Sequence, residues 1–224
     1  MPEPEPRIET QAGGPYIVRG ALPLVGRESV ETEHGEPIAW RRGADFDAGE
    51  TYPLCRCGES GNRPFCDGTH AAIGFEGSES APTNTADERQ ETIDGTGITL
   101  YDDRGALCIG AGFCGSRLKN IWEMMDETNE STVRAQIAAM VERCPSGAIR
   151  YALPDDATPI EPSLRPEVGV EPGGPLWVHG GIDVHRADGE PIESRNRVTL
   201  CRCGQSQNKP LCDGAHRDAG FESD

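Results

Sequence analysis

Apolar residues recur at helical spacing in one part of the chain, between residues 118 and 141. Residues three and four apart share one side of a helix, so we interpret two such stripes as the faces of helices that pack into a core. Short strand-like runs at 97–101 and 148–151 flank them. The two stripes consist of Leu118, Ile121, Trp122 and Met125, and of Val133, Ile137, Met140 and Val141.

The rest of the chain contains an internal duplication. Residues 13–20 recur as 173–180, residues 54–58 recur as 200–204, and residues 62–70 recur as 208–216. Each copy predicts short strands, at 16–19, 37–40 and 51–54 in the first, followed by an irregular cysteine-containing loop. The second copy lacks a stretch between its first strands. Asp67 and Asp213 stand where an N-cap would begin a short helix that carries a histidine.

These patterns divide the chain into small modules of an α+β protein. We expect a disordered tail over 1–12, a first repeat unit over 13–78 and a different domain over 90–152. Prolines crowd the stretch 153–175, which predicts a stiff extended linker before the second unit over 176–224. The two units are predicted to be rich in β-structure.

Composition and charge narrow the class of protein. Of 224 residues, only 5% are aromatic, whereas 28 are Gly and 18 are Pro, so the cores must be small and need a staple such as a metal. A formal charge of −17 repels nucleic acid and anionic membranes. The acidic, Pro-rich start is unlike a secretion signal, and nine cysteines without one favour thiolate ligands in a reducing, cytoplasmic compartment.

Cysteine and histidine recur in both units with the spacing C-x-C-x8-C-x3-H. Three thiolates and one imidazole suit a tetrahedral zinc ion or an iron-sulfur cluster. The C-x-C pair is tighter than the spacing that is usual at zinc sites, which favours iron-sulfur. The candidate ligands are Cys55, Cys57, Cys66 and His70 in the first unit, and Cys201, Cys203, Cys212 and His216 in the second.

Both motifs resemble the CDGSH iron-sulfur domain, or NEET, family, whose pattern is C-x-C-x2-S-x3-P-x-C-D-G-(S/A/T)-H. Ser60 and Pro64 complete the pattern in the first unit, and Ser206 and Pro210 complete it in the second. The resemblance implies one 2Fe-2S cluster per unit, with the C-x-C pair on one iron and the third cysteine and histidine on the other. The family forms strand-swapped dimers, so two units in one chain imply an intramolecular pseudo-dimer and a monomer with an internal pseudo-two-fold.

The middle domain carries three further cysteines, Cys108, Cys114 and Cys144, of which the last precedes a proline. This segment resembles a divergent single-cluster ferredoxin in which Ala111 occupies the position of the central cysteine. Three thiolates suit a 3Fe-4S cluster, which we favour. A 4Fe-4S cluster would need a fourth ligand from water or another side chain.

Iron-sulfur clusters carry electrons, and no nucleophile-base constellation, phosphate loop or dinucleotide fingerprint is present. We therefore expect an electron-transfer or redox-relay protein, not an enzyme by itself, that needs a partner redox protein. One alternative is cluster storage or delivery to an apo-acceptor, since a bound imidazole must be neutral and its protonation near pH 6 would loosen the cluster. Another is a structural zinc-binding protein.

Overall fold

Three antiparallel or mixed β-sheets, with short helices between them, make up the α+β fold of the computed structural model, which describes residues 5–223. Two sheets are built from the repeat units and the third belongs to the middle domain. The buried apolar side chains of all three sheets form one connected core. Within residues 5–223, no helix has both the length and the apolar character that crossing a membrane requires.

The first sheet contains three strands from the first unit and one from the second. Its strands are β1 (Arg7–Thr10), β2 (Tyr16–Arg19), β5 (Thr51–Leu54) and β12 (Asp183–His185), in the order β12-β1-β2-β5. Strand β12 pairs in parallel with β1, whereas the other pairs are antiparallel. Ile8, Tyr16, Val18 and Leu54 alternate with more exposed residues and fill the core side of this sheet.

The second sheet mirrors that arrangement with five strands. It contains β3 (Leu24–Glu31), β4 (Pro37–Asp45), β10 (Glu167–Val170), β11 (Leu176–His179) and β13 (Arg197–Leu200), in the order β13-β11-β10-β3-β4. Strand β3 of the first unit pairs in parallel with β10 of the second. The hairpin β3–β4 is longer than its counterpart in the second copy, where the three-residue β12 stands in the place of β3.

The two units therefore exchange equivalent strands. In the repeat, β1 corresponds to β10, and β3 corresponds to β12, so each unit gives one strand to the parallel edge of the other unit's sheet. The exchanged strand covers the outer edge of β1 in the first sheet and of β10 in the second, so neither strand leaves its backbone groups unpaired on that side. The chain is an intramolecular pseudo-dimer, as the sequence resemblance predicted.

The middle domain forms a third, antiparallel sheet with helices on one side. Ile137 and Val141 of its one long helix are buried, which agrees with the predicted stripe, but Leu118 is 92% exposed in a loop and is not part of a helix. The first stripe was thus extended one turn too far. The elements are β6 (Glu91–Gly95), β7 (Ile98–Asp102), β8 (Ile149–Leu153), β9 (Asp156–Ile160), α3 (Arg104–Leu107), α4 (Ile121–Met124), a 3-10 turn (Met125–Glu127) and α5 (Ser131–Glu142).

Two predicted segment assignments differ from the structure. Residues 7–10 of the predicted disordered tail 1–12 form β1, and residues 1–4 lie outside the described part of the chain. The predicted linker 153–175 contains β9 and the fully buried β10. Strands β1 and β10 each pair with a strand of the other repeat unit, and β9 pairs with β8 of the middle domain. Such short paired strands leave little trace in local composition.

Candidate iron-sulfur centres

The C-x-C pairs lie at the ends of strands β5 and β13. The Sγ atoms of Cys55 and Cys57 are 3.8 Å apart, and those of Cys201 and Cys203 are also 3.8 Å apart. Both pairs are buried. In each copy the first cysteine continues the strand, while the second follows a buried arginine, so the two sulfurs point to the same side of the loop. Each pair can bind a single metal ion.

The third cysteine and the histidine form a second pair in each unit. His70 lies on the one-turn helix α1 (Thr69–Ala72), and His216 lies on the one-turn helix α6 (Ala215–Asp218). A third short helix, α2 (Ala86–Arg89), lies between the first unit and the middle domain. The Nδ1 atom of His70 is 3.2 Å from Cys66 Sγ. The equivalent distance from His216 to Cys212 is 3.4 Å. In both units the histidine therefore turns the same ring nitrogen toward the sulfur.

The loop before each helix is shaped by an aspartate and a left-handed glycine. Asp67 was predicted as the N-cap of α1, but Gly68, with φ 90°, holds that position. Asp67 Oδ1 instead accepts a hydrogen bond from the Thr69 N–H at 3.0 Å, and Asp213 does the same for Ala215. Hydrogen bonds from the side chain and the backbone N–H of Thr69, and from the Gly61 N–H, hold the pKa of Asp67 well below its usual range. The aspartates orient the loop and lie beside the pairs.

The donor set fits a two-iron cluster. Two sulfurs at one end and a sulfur with an imidazole at the other provide two ligands for each of two irons, whereas one tetrahedral zinc ion needs four ligands around a single point. Within residues 5–223, no group of three or more His, Cys, Asp or Glu side chains surrounds one such point. The Gly68 and Gly214 N–H groups each lie 3.4 Å from the adjacent cysteine sulfur, in the manner of amides that stabilise cluster thiolates.

Burial makes most of these thiols poor acids. Desolvation raises the pKa of Cys57 to about 11 and that of Cys212 to about 12. The hydrogen bond between Cys201 and Cys203 raises the pKa of the former and lowers that of the latter, because one proton serves both sulfurs. Desolvation also lowers the pKa of His216, which keeps its ring neutral. Thiolates in this setting need a nearby cation, and a cluster iron would supply it.

A fully buried arginine separates the cysteines of each C-x-C pair. Arg56 donates to the carbonyl oxygens of Gln11 and Gly77 and lies 3.4 Å from Glu79 Oε1, an ion-pair contact without a hydrogen bond at that oxygen. Arg202 donates to the Gly174 and Glu171 carbonyl oxygens. These guanidinium groups bring positive charge to the thiolate loops. The sequence signal for these two arginines is that both repeats carry an arginine between the two cysteines, in the segments 54–58 and 200–204. The prediction from the sequence gave these arginines no role.

The two cluster loops touch at the centre of the pseudo-dimer. A Cβ atom on Gly58 would lie 2.5 Å from the Cys203 carbonyl oxygen, and one on Gly204 would lie 2.5 Å from that of Cys57. Both glycines have positive φ. Tyr16 of the first unit also donates to the carbonyl oxygen of Cys201 at 2.9 Å. The two cysteine pairs are therefore joined by direct backbone contact.

The cysteines of the middle domain lie on two loops. Cys108 follows α3 and is exposed, whereas Cys114 and Cys144 are half-buried. Desolvation raises the pKa of Cys114, and the charges of Cys144 and Cys108 raise it further, so the three sulfurs are electrostatic neighbours. The Gly110 N–H lies 3.4 Å from Cys108 Sγ. The sequence prediction that these three residues form one ligand set stays a prediction.

Trp40 of the hairpin β3–β4 packs against both of these loops. Its ring centroid is 4.9 Å from that of Phe113 and 4.9 Å from that of Trp177 in β11. Its indole N–H donates to the Arg143 carbonyl oxygen at 2.9 Å, one residue before Cys144. The long hairpin of the first unit thus connects the middle domain to β11 of the second unit. Sequence reasoning placed Trp40 in a strand but gave it no role.

The middle domain also contacts the histidine loop of the second unit. A Cβ atom on Gly214 would lie 3.0 Å from the Ile109 carbonyl oxygen, and Ile109 follows Cys108 directly. Arg217, one residue after His216, donates to the Gly110 carbonyl oxygen. The loop 108–114 therefore packs against the segment between Cys212 and His216.

Comparison with known proteins agrees with this division. The family model described as iron-binding zinc finger CDGSH type matches residues 13–71 and 173–217. A second model, described as divergent 4Fe-4S mono-cluster, matches residues 93–154. No curated protein and no solved structure matches the chain. The two outer units belong to the CDGSH family and flank a divergent single-cluster ferredoxin-like domain, so the chain is an iron-sulfur protein.

Proposed function

We propose that the chain is an electron relay with three iron-sulfur clusters in a fixed order. The clusters are two 2Fe-2S centres, held by Cys55, Cys57, Cys66 and His70 and by Cys201, Cys203, Cys212 and His216, and one centre held by Cys108, Cys114 and Cys144. Three cysteines favour 3Fe-4S in the middle domain, and a 4Fe-4S cluster with a non-cysteine fourth ligand is the other form.

The observation that carries this proposal is the pair of backbone contacts between neighbouring centres. Ile109 connects the middle loop to the segment between Cys212 and His216, and the contacts of Gly58 and Gly204 connect the second unit to the first. The order that follows is middle domain, second unit, first unit. Cys108 at one end is exposed and His70 at the other end is half-buried, whereas Cys212 and His216 between them are buried.

Rapid reduction tests the relay. Oxidised holoprotein would be mixed without oxygen with one electron equivalent of dithionite and freeze-quenched over time for electron paramagnetic resonance. We expect the signals of the clusters to interconvert at a rate that does not depend on protein concentration, because the transfer is intramolecular. A rate that rises in proportion to concentration would show that electrons pass between molecules and would contradict the relay. The control is Cys144→Ser, which should remove only the middle signal.

Cluster delivery is the second candidate, and the partial exposure of Cys66 and His70 favours it. A cluster is released more easily where its ligands reach solvent, and this is the pair in the first unit. Incubation of the holoprotein with an apo-ferredoxin separates the two functions. Delivery predicts that the acceptor gains iron and sulfide while the chain loses one 2Fe-2S centre. A relay predicts that the iron and sulfide of the chain stay constant.

A further inference from the structure

The histidine-bearing helices of the two units have different surroundings. In the second unit, Gly214 contacts Ile109, and Arg217 donates to the Gly110 carbonyl oxygen, so the middle domain covers this side of α6. In the first unit, a Cβ atom on Gly68 would have no neighbour within 4 Å among residues 5–223. The pseudo-two-fold therefore relates a covered loop at Gly214 and His216 to an open loop at Gly68 and His70, whereas residues 217–219 are exposed like their counterparts 71–73.

The residues of the open surface differ in the same sense. Ala71 replaces Arg217, Ala72 replaces Asp218, and Ile73 replaces Ala219. All three residues of the first unit are exposed, and Ile73 exposes 50% of its surface. Arg217, which tethers α6 to the middle domain, thus has an alanine as its counterpart, and residues 71–73 together present three adjacent exposed apolar side chains beside a candidate ligand.

Charge indicates what kind of partner fits the patch. From Cys66 to Glu76 the only charged residues are Asp67 and Glu76, both acidic, and the whole chain carries a formal charge of −17. An apolar patch whose charged neighbours in sequence are both acidic, on a strongly acidic chain, favours a partner surface with basic residues around an apolar centre. The second unit shows how such a partner could approach, because there the loop 108–114 of the middle domain packs against Gly214, the equivalent of Gly68.

We propose that residues 71–73, at the C-terminal end of α1, form the docking surface for an external electron-transfer protein whose reactive centre is ringed by basic residues. This proposal rests on the relay described above, and it makes the first unit the terminal centre. The middle domain is then the built-in partner of the second unit, and the external protein takes the equivalent place on the first.

Binding of a redox-inert probe tests the surface separately from electron transfer. The probe is zinc-substituted cytochrome c, which has lysines around its porphyrin edge, and its affinity for the holoprotein would be measured by calorimetry at low ionic strength. Ile73→Lys and Ala72→Lys should each weaken binding by about tenfold or more, because they place a positive charge at the centre of the contact. Succinylated probe, whose lysines become carboxylates, should not bind.

Matched variants control for the total charge. Leu118→Lys on the middle domain and Ala219→Lys at the equivalent position of α6 make the same change at exposed sites. They should alter affinity by less than about threefold. Equal losses in all four variants, a larger loss in Leu118→Lys, or absence of binding by the parent protein would each overturn the proposal. A self-associated dimer that Ile73→Lys dissociates would assign the patch to a second copy of the chain and would also overturn it.

The outcome for the docking surface does not decide the relay. Ile73→Lys leaves the three ligand sets and their contacts unchanged, so intramolecular redistribution of electrons should continue at the parent rate. Lost redistribution in the parent protein would contradict the relay even if the probe binds. Normal redistribution with unaltered probe binding in Ile73→Lys would contradict only the docking surface.

Discussion

Arg56 illustrates how single side chains prepare the candidate cluster sites. Arg56 lies between Cys55 and Cys57 in the sequence, and its guanidinium is fully buried, lies 5.5 Å from the Tyr16 ring centroid and pairs with Glu79, whose side chain is 3% exposed. A buried charge without its partner is strongly destabilising, because the low-dielectric interior offers it little solvation. The buried positive charge of the first C-x-C segment thus depends on a carboxylate from a segment outside the motif.

A double-mutant cycle tests this dependence. Arg56→Met and Glu79→Gln should each lower the free energy of unfolding by about 3–5 kcal/mol, and the double variant should cost clearly less than the two single costs together. The exposed pair Arg41 and Glu28 is the control, and the same changes there should cost less than about 1 kcal/mol. Chemical unfolding of the holoprotein measures all six variants. Additive costs at Arg56 and Glu79 would contradict the coupling.

At the scale of elements, the crossing of the two cluster loops holds the pseudo-dimer together. Gly58 and Gly204 lie in equivalent positions, and each lies against a cysteine carbonyl of the other unit. Any side chain at either position would force the loops apart, in addition to the strain of a positive φ. The strand exchange and this crossing act on the same two units, so neither unit can move without disturbing the other.

Alanine at Gly58 separates contact from backbone strain. Gly35 also has a positive φ, but a Cβ there would have no neighbour within 4 Å in the described part of the chain. Gly35→Ala should therefore lower the melting temperature by about 2–8 °C, the effect of 1–2 kcal/mol of strain. Gly58→Ala and Gly204→Ala should each lower it by about 10 °C or more, with a loss of visible absorption. Calorimetry without oxygen measures the melting temperatures, and absorption spectroscopy measures the loss of colour. Equal shifts in melting temperature at Gly35 and Gly58 would contradict the contact between the two cluster loops.

The repeat, the modules and the proximity of the cysteine and histidine pairs could be predicted from the sequence. The pairs depend on local spacing, so Cys55 lies near Cys57, and Cys66 near His70, wherever the loop sits. Strands β1 and β10 were missed, because each is only four residues long and lies between a hairpin partner, β2 or β11, and a strand far along the chain, β12 or β3, whose pairing the sequence does not reveal. Leu118 has the right spacing for the helix that follows it, but a helix that begins at Ile121 leaves it outside.

At the scale of the whole molecule, the insertion of the middle domain breaks the symmetry of the pseudo-dimer. Both units keep the same candidate ligands, but the loop 108–114 packs against the histidine-bearing loop of the second unit, whereas it meets the first unit at the hairpin β3–β4, through Trp40. Two equivalent centres thereby become an inner one and an outer one. The order of the proposed relay is a consequence of this asymmetry, and it requires that all three sites hold iron-sulfur clusters.

The most direct test of that requirement is the iron, acid-labile sulfide and zinc content of protein purified without oxygen, with a Mössbauer spectrum to assign the irons. We predict about seven irons and eight sulfides per chain, or about eight irons if the middle cluster is 4Fe-4S, and no stoichiometric zinc. Half of the irons in each 2Fe-2S centre should show nitrogen ligation. About three zinc ions per chain without sulfide or visible colour would contradict the account.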